Sequence, residues 1–347
     1  MKILLFTFIT IFIYINTIIG QEFKIPGEIA KSSIIKMMKE LNVPAVGIGI
    51  IERGVLKEVK VYGELKEGNP APYNTIFETA SLSKPVVAML TLILVTNGDW
   101  NLDDPLTRYW VDPDVKDDPR HKKLTTRHIL THQTGFDNWR WNNKQNKLIF
   151  HFEPGSKYKY SGEGIEYLRK ALENKFKMNI HQLCDSLLFK SYEMTDSRFY
   201  WDSDLIESRY AVAHDKKGKP REIRKNKNVT AGYFLSTIKD YSMLGVNTMK
   251  STSISEDLFK DMVKPQSKLD EDESFGLGWD ILHDLTNGKF AMLHSGTNAG
   301  VCTFIILIPY YKSGLVVFTN GDNGFDIIEK IVVSYYGDFG KEIVQKW

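Results

Sequence analysis

Apolar side chains recur at Ile29, Ile34, Met37, Met38 and Leu41, a spacing that predicts a helix over 27–42. A short apolar run, Ala45 to Ile51, then stops at Glu52-Arg53-Gly54 and resumes from Val55 to Tyr62, which reads as a hairpin. From Ser81 through Leu94 almost every position is apolar, predicting a buried helix that Asn97-Gly98 ends. Near the far end, Thr303–Pro309 and Gly314–Thr319 read as strands joined by Tyr310-Tyr311-Lys312-Ser313, and Ile327 to Tyr336 as a closing helix. Between about 85 and 270 the pattern is mostly helix and loop, with no internal repeat. The strands therefore come from both ends of the chain. The simplest architecture is α+β: an antiparallel sheet flanked by helices, with a helical insertion between its two halves.

The first twenty residues stand apart. Lys2 precedes a mostly apolar stretch from Ile3 to Ile19, and Gly20 offers a small residue for a cut before Gln21. This is the pattern of a secretory signal, with an uncleaved membrane anchor as the alternative. The expected organisation is 1–20 as signal and 21–347 as one domain. Within that domain the sheet lobe spans about 21–80 and 271–347, and the helical lobe about 85–270. The expected location is the periplasm or the extracellular space.

Hydrophobic residues make up 42% of the 347 positions and charged residues 25%, ordinary for a globular protein. Lys+Arg of 45 against Asp+Glu of 43 leaves +2, which argues against a nucleic-acid partner. The densest basic run, Lys216 to Lys227, sits among Gly218, Pro220 and Asn226 and reads as a solvated loop. Cys184 and Cys302 could pair in an exported protein, but Cys302 lies in an apolar strand, so two buried free thiols are the preferred reading.

For chemistry, Ser-x-x-Lys occurs four times: Ser33/Lys36, Ser81/Lys84, Ser156/Lys159 and Ser236/Lys239. Only Ser81 stands at the start of a strongly apolar helix. Three residues along a helix, Lys84 lies beside Ser81. The helix N-terminus favours a developing alkoxide, and apolar surroundings disfavour the charged lysine, which suits it as a base. A helix-capping serine with a surface lysine is the competing reading of this segment alone.

Phe77-Glu78-Thr79-Ala80-Ser81-Leu82-Ser83-Lys84 resembles the first motif of the serine beta-lactamase and penicillin-binding-protein-like family. The stretches Asn101–Pro105, Leu124–Phe136, Ala231–Thr237 and Phe275–Trp279 are similar to that family's linking segments, so the resemblance runs from about 40 to 335. It implies a beta-lactamase/transpeptidase-like fold with the site between the sheet and an all-helical lobe. Tyr160-Ser161-Gly162 matches the first position of the family's Tyr-x-Asn motif, and His294-Ser295-Gly296 its His-x-Gly variant of Lys-Thr-Gly. By that resemblance Tyr160 relays a proton between Ser81 and the leaving group. The N–H groups of Ser81 and Thr297 form an oxyanion hole, Gly296 allows close backbone approach, and Ser295 bonds a substrate carboxylate or carbonyl. Gly162 departs from the family's Asn, and His294, expected to be only partly charged near neutrality, replaces a fixed positive charge. Both departures weaken beta-lactam contacts.

The implied activity is an acyl-enzyme serine hydrolase of small esters, amides or peptides, with no cofactor. The alternatives are a beta-lactamase or D-alanyl-D-alanine carboxypeptidase, and a non-catalytic protein that binds cell-wall fragments. A zinc site at His128 and His132 is disfavoured, because Ile129-Leu130-Thr131 lacks the Glu of His-Glu-x-x-His; these histidines are expected to cap and pack their helix. Gly162-Glu163-Gly164 lacks the spacing of a nucleotide loop. Trp139 and Trp141 are read either as cleft lining or as a packed loop.

Overall fold

A computed structural model describes residues 29–347 apart from Asn287. The expected signal segment and the first residues of the 27–42 helix lie outside the described residues.

Eleven strands are present among the described residues: β1 (Ala45–Glu52), β2 (Val55–Lys66), β3 (Asn69–Pro70), β4 (Ile76–Glu78), β5 (Leu235–Thr237), β6 (Ser267–Lys268), β7 (Glu273–Phe275), β8 (Asp280–Leu285), β9 (Lys289–Asn298), β10 (Val301–Ile308) and β11 (Ser313–Thr319). Nine form one antiparallel sheet in the order β3-β2-β1-β11-β10-β9-β8-β7-β6, while β4 and β5 pair separately. The β1–β2 hairpin turns on Arg53 and Gly54, at φ 53° and 75°. Two left-handed residues match the strand twist, so the runs on either side can pair.

Strands β1, β10 and β11 are buried along nearly their whole length, because helices cover both faces of the sheet. On one face Ile34, Ile48, Phe304, Val317 and Ile331 join the helices Lys31–Glu40 and Gly324–Tyr336 to it. On the other, Val86, Ile238, Trp279 and Ile305 join it to the helical lobe. The terminal helix Asp338–Lys346 was not anticipated. Only Phe339, Gly340 and Ile343 are buried in it, too short an apolar pattern to register.

Both cysteines are free and buried, in agreement with the preferred reading. The stretch 216–227 is largely exposed and irregular, again as expected. Among the described residues, no helix is long and apolar enough to cross a membrane.

Candidate active site

Ser81 lies in a single 3₁₀ turn, Ala80–Leu82, immediately before the helix Ser83–Thr96. It does not open the α-helix itself, as the apolar pattern implied. The cause is Ala80, whose φ of 49° is left-handed, a sparsely populated state for a residue with a Cβ. Such a turn persists only where its surroundings hold it. Thr79 N–H donates to Phe234 O at 2.9 Å, Thr303 Oγ1 donates to Thr79 O at 2.8 Å, and Tyr241 Oη donates to Leu82 O at 2.6 Å. The backbone of β9 also presses against this turn: a Cβ at Gly296 would collide with the Thr79 carbonyl and lie 3.1 Å from Ser81 N. Only glycine permits that approach.

Lys84 is 4% exposed, and its Nζ donates to Ser81 Oγ at 3.0 Å. No carboxylate forms an ion pair with it among the described residues. Its nitrogen instead lies 5.0 Å from the centroid of the Tyr160 ring. Tyr160 directly precedes Ser161, whose Oγ caps the helix Gly162–Phe176 by accepting Gly164 N–H at 3.0 Å. The helix start therefore aims Tyr160 at the lysine.

His132 and His128 have different jobs. His128 caps its own helix, accepting Thr125 N–H at 3.3 Å, as expected. His132 departs from that expectation. Its ring lies 4.3 Å from that of Tyr160, its Nδ1 accepts Ser161 N–H at 3.2 Å, and its carbonyl accepts Lys159 N–H at 2.7 Å. It thus brackets Tyr160 on both sides along the chain. Burial, with the charge of Lys84 added, holds this imidazole well below its usual range and so neutral.

His294, Ser295, Gly296 and Thr297 lie on β9, brought opposite Ser81. His294 corrects an expectation. It is not partly charged near neutrality: burial first, and Lys84 second, push its pKa down to about 3. Its Nδ1 lies 2.7 Å from Ser295 O and so carries the hydrogen, while Nε2 is buried without a partner. Ser295 and Thr297 line a cleft of about 360 Å³ together with Ser81, Lys84 and Tyr160. All the expected site residues therefore converge. The other three Ser-x-x-Lys serines do not: Ser33 and Ser156 are exposed, and Ser236 is buried 2.9 Å from Ser197.

The same cleft holds residues that the sequence did not single out: Asn138, Tyr158, Glu273 and Asp280. Burial, then the Asp270 charge, raises Glu273 to about 7; burial, then Glu273, pushes Asp280 well above the usual carboxylate range. Nothing local in the sequence marks these acids. Trp139, one of the two tryptophans left open, lines the cleft. Its loop is anchored by Arg140, which forks onto Glu163 at 2.8–3.1 Å and reaches Asp112 and Asp114 at 3.0 Å. A second cleft of about 800 Å³ adjoins the first and shares Trp139, Gly232 and Asn298 with it.

A family model described as Beta-lactamase matches residues 30–332. The chain is 24% identical to Penicillin-binding protein 4* of Bacillus subtilis (strain 168) over 317 residues, covering 78% of this chain and 66% of that protein. It is 20% identical to Protein flp of Staphylococcus aureus (strain MRSA252) over 307 residues, covering 80% and 60%. The chain thus spans less than two thirds of these relatives' own length. Among solved structures it resembles the octameric penicillin-binding protein homologue from Pyrococcus abyssi, with TM-score 0.73 and 21% identity over 84% of this chain and 73% of that one. It also resembles the D-alanine carboxypeptidase AmpC from Burkholderia cenocepacia, with TM-score 0.69 and 20% identity over 84% and 92%. At these identities the structural likeness speaks for a shared fold.

Proposed function

The chain belongs to the beta-lactamase family, and on that premise we propose that it is an exported serine hydrolase that forms an acyl-enzyme on Ser81. The observation that carries the reading is the 3.0 Å contact of Lys84 Nζ with Ser81 Oγ, made by a buried lysine that no carboxylate holds in an ion pair among the described residues. Lys84 takes the Ser81 proton as Oγ attacks the substrate carbonyl. The N–H groups of Ser81 and Thr297 receive the oxyanion. Tyr160, beneath the lysine nitrogen, passes the proton to the leaving group, and water then hydrolyses the ester formed on Ser81. No step calls for a cofactor, so a chelator should leave turnover unchanged.

The preferred substrates are esters or small amides. Gly162 brings no side-chain amide to the cleft, and neutral His294 brings no charge to draw in a carboxylate. Beta-lactams or cell-wall peptides are the second reading, favoured by what the relatives' names say of them. Export rests on the Lys2–Gly20 pattern alone, and N-terminal sequencing of the cell-derived protein should begin at Gln21.

The deciding experiment is hydrolysis of a chromogenic short-chain ester and a chromogenic cephalosporin, side by side, by the chain from Gln21 and its Ser81→Ala variant. Ser81-dependent ester turnover with little cephalosporin turnover supports the preferred reading, and fast cephalosporin turnover transfers it to the second. Undiminished activity in Ser81→Ala refutes the nucleophile. A folded wild-type protein that takes no fluorophosphonate label on Ser81 would be a binding protein only.

A further inference from the structure

Gly162 stands where the family's second motif carries a side chain, and the vacated space is filled from another loop. A Cβ built at Gly162 would lie 2.7 Å from the Trp139 indole, closer than a Cβ can approach a ring. On the other side, a Cβ at Gly232 would meet the same indole at 3.1 Å. The six-membered ring of Trp139 is thus seated between two glycine backbones, from different parts of the chain. Trp141 stacks on it, ring centroids 5.0 Å apart and planes within 7°. Asn138 Oδ1 accepts Gly162 N–H at 2.9 Å and Asn142 Oδ1 accepts Trp139 N–H at 3.0 Å, which fixes the indole's backbone.

Trp139 is also a wall shared by the cleft at Ser81 and the adjoining 800 Å³ cleft, so a substrate reaching from one to the other crosses it. Among the charges lining the larger cleft, Arg140 holds Glu163 and Asp112 and Arg169 holds Glu166, while Arg224 reaches out to Glu78 and Lys225 to Glu207; with Lys170 the lining is tilted to positive. Aromatic side chains of Trp110, Trp141, Tyr167 and Tyr233 also line it, and Trp141 is 64% exposed.

We propose that Trp139 is a specificity-determining residue that selects substrates carrying a flat ring on one arm of the scissile ester or amide, the ring crossing the indole into the larger cleft. This rests on the hydrolase reading above. Gly162 is then not simply a lost contact: its missing side chain makes room for the platform.

The test compares hydrolysis of methyl acetate, methyl phenylacetate and benzyl acetate, followed by acid release, with fluorophosphonate labelling of Ser81 run in parallel. One of the two ring esters should exceed methyl acetate in kcat/KM by about tenfold or more, mainly through KM, the scale expected of one added apolar group in a fitted pocket. Trp139→Ala should bring that ratio to near unity. Trp139→Phe should keep much of it, and Gly162→Ala, whose new methyl must displace the indole, should lower it. If Trp139→Ala does not fold, the other two variants decide. A wild-type enzyme without ring preference, or a preference that survives both Trp139→Ala and Gly162→Ala, overturns the proposal. Failure of Ser81 to take the label would overturn the hydrolase reading instead.

Discussion

Thr303 ties the turn that carries Ser81 to the strand opposite, and its removal tests whether that tie matters for the proposed chemistry. Its hydroxyl is fully buried, donates to Thr79 O at 2.8 Å, and lies 3.3 Å from Gly296 O. Thr303→Val keeps the shape and deletes the hydroxyl. Thr79 O is not orphaned by the change, since it also accepts Leu82 N–H at 3.1 Å. The cost is therefore the net value of one neutral hydrogen bond, about 1 kcal/mol, and not the larger penalty of a stranded carbonyl. That bond helps hold Ala80 in its left-handed conformation, itself uphill by about 1–3 kcal/mol, so its loss falls on the population of correctly turned Ser81. If that population carries the whole loss, acylation slows by about fivefold, since roughly 1.4 kcal/mol would be needed for a factor of ten. The assays are denaturant unfolding and the rate of fluorophosphonate labelling of Ser81. Thr303→Val should lose about 1 kcal/mol and label several-fold more slowly, whereas Thr303→Ser, which keeps the hydroxyl, should label near the wild-type rate despite its missing methyl. Wild-type labelling by Thr303→Val, or equal slowing of Val and Ser, would refute the clamp.

Acid should destabilise the fold through His294. Its folded pKa of about 3 lies below the unfolded value of about 6.5, so the unfolded chain takes up the proton first and stability rises with pH across that window. The stability difference between wild type and His294→Gln should be level above pH 6.5 and shrink by about 2 kcal/mol on going to pH 5, at about 1.4 kcal/mol per unit; a level difference over that range contradicts a buried neutral imidazole. Arg140→Ala leaves Glu163 and Asp112, each 4% exposed, without their cation and should cost about 3–5 kcal/mol in chemical unfolding, with Arg140→Lys in between because it loses the fork. A loss below about 1 kcal/mol would mean that the network does not hold the 137–142 loop. Ellman's reagent should find no reactive thiol in the native protein and two after denaturation, since burial raises both Cys184 and Cys302; two missing thiols in denaturant would reveal a disulfide.

The parts legible in advance share one property: their signal is local. The β1–β2 hairpin is written in two apolar-rich runs that break at Glu52-Arg53-Gly54, and the helix after Ser81 in a nearly continuous apolar stretch that can only be buried. The Ser81/Lys84 pair lies three residues apart, so local geometry alone nearly sets its contact. Tyr160 and His294 were placed by resemblance of short motifs, since neither residue says anything by itself in a chain with 16 tyrosines and 8 histidines. The terminal helix 338–346 was missed because too few apolar positions carry its period.

The protonation of His294 was misjudged because it depends on neighbours far away in sequence. Lys84, about two hundred residues earlier, and the packing around β9 make the imidazole neutral, and neither is visible from Ser295 and Gly296. Glu273 and Asp280 likewise belong to the cleft only because β7 and β8, which they open, are packed beside it.

By itself, then, the sequence determined the strands at both chain ends, the buried helix behind Ser81, and the residue types of the candidate site. These follow from periodicity and from side chains within a turn of each other. Only the tertiary structure decided what surrounds them: a serine in a strained turn held by Thr303, a histidine emptied of charge, and an indole seated between Gly162 and Gly232. Each of these is a relation between segments brought together by packing. The free energy of a buried charge or a filled gap depends on which atoms pack against it, and one-dimensional order does not carry that information.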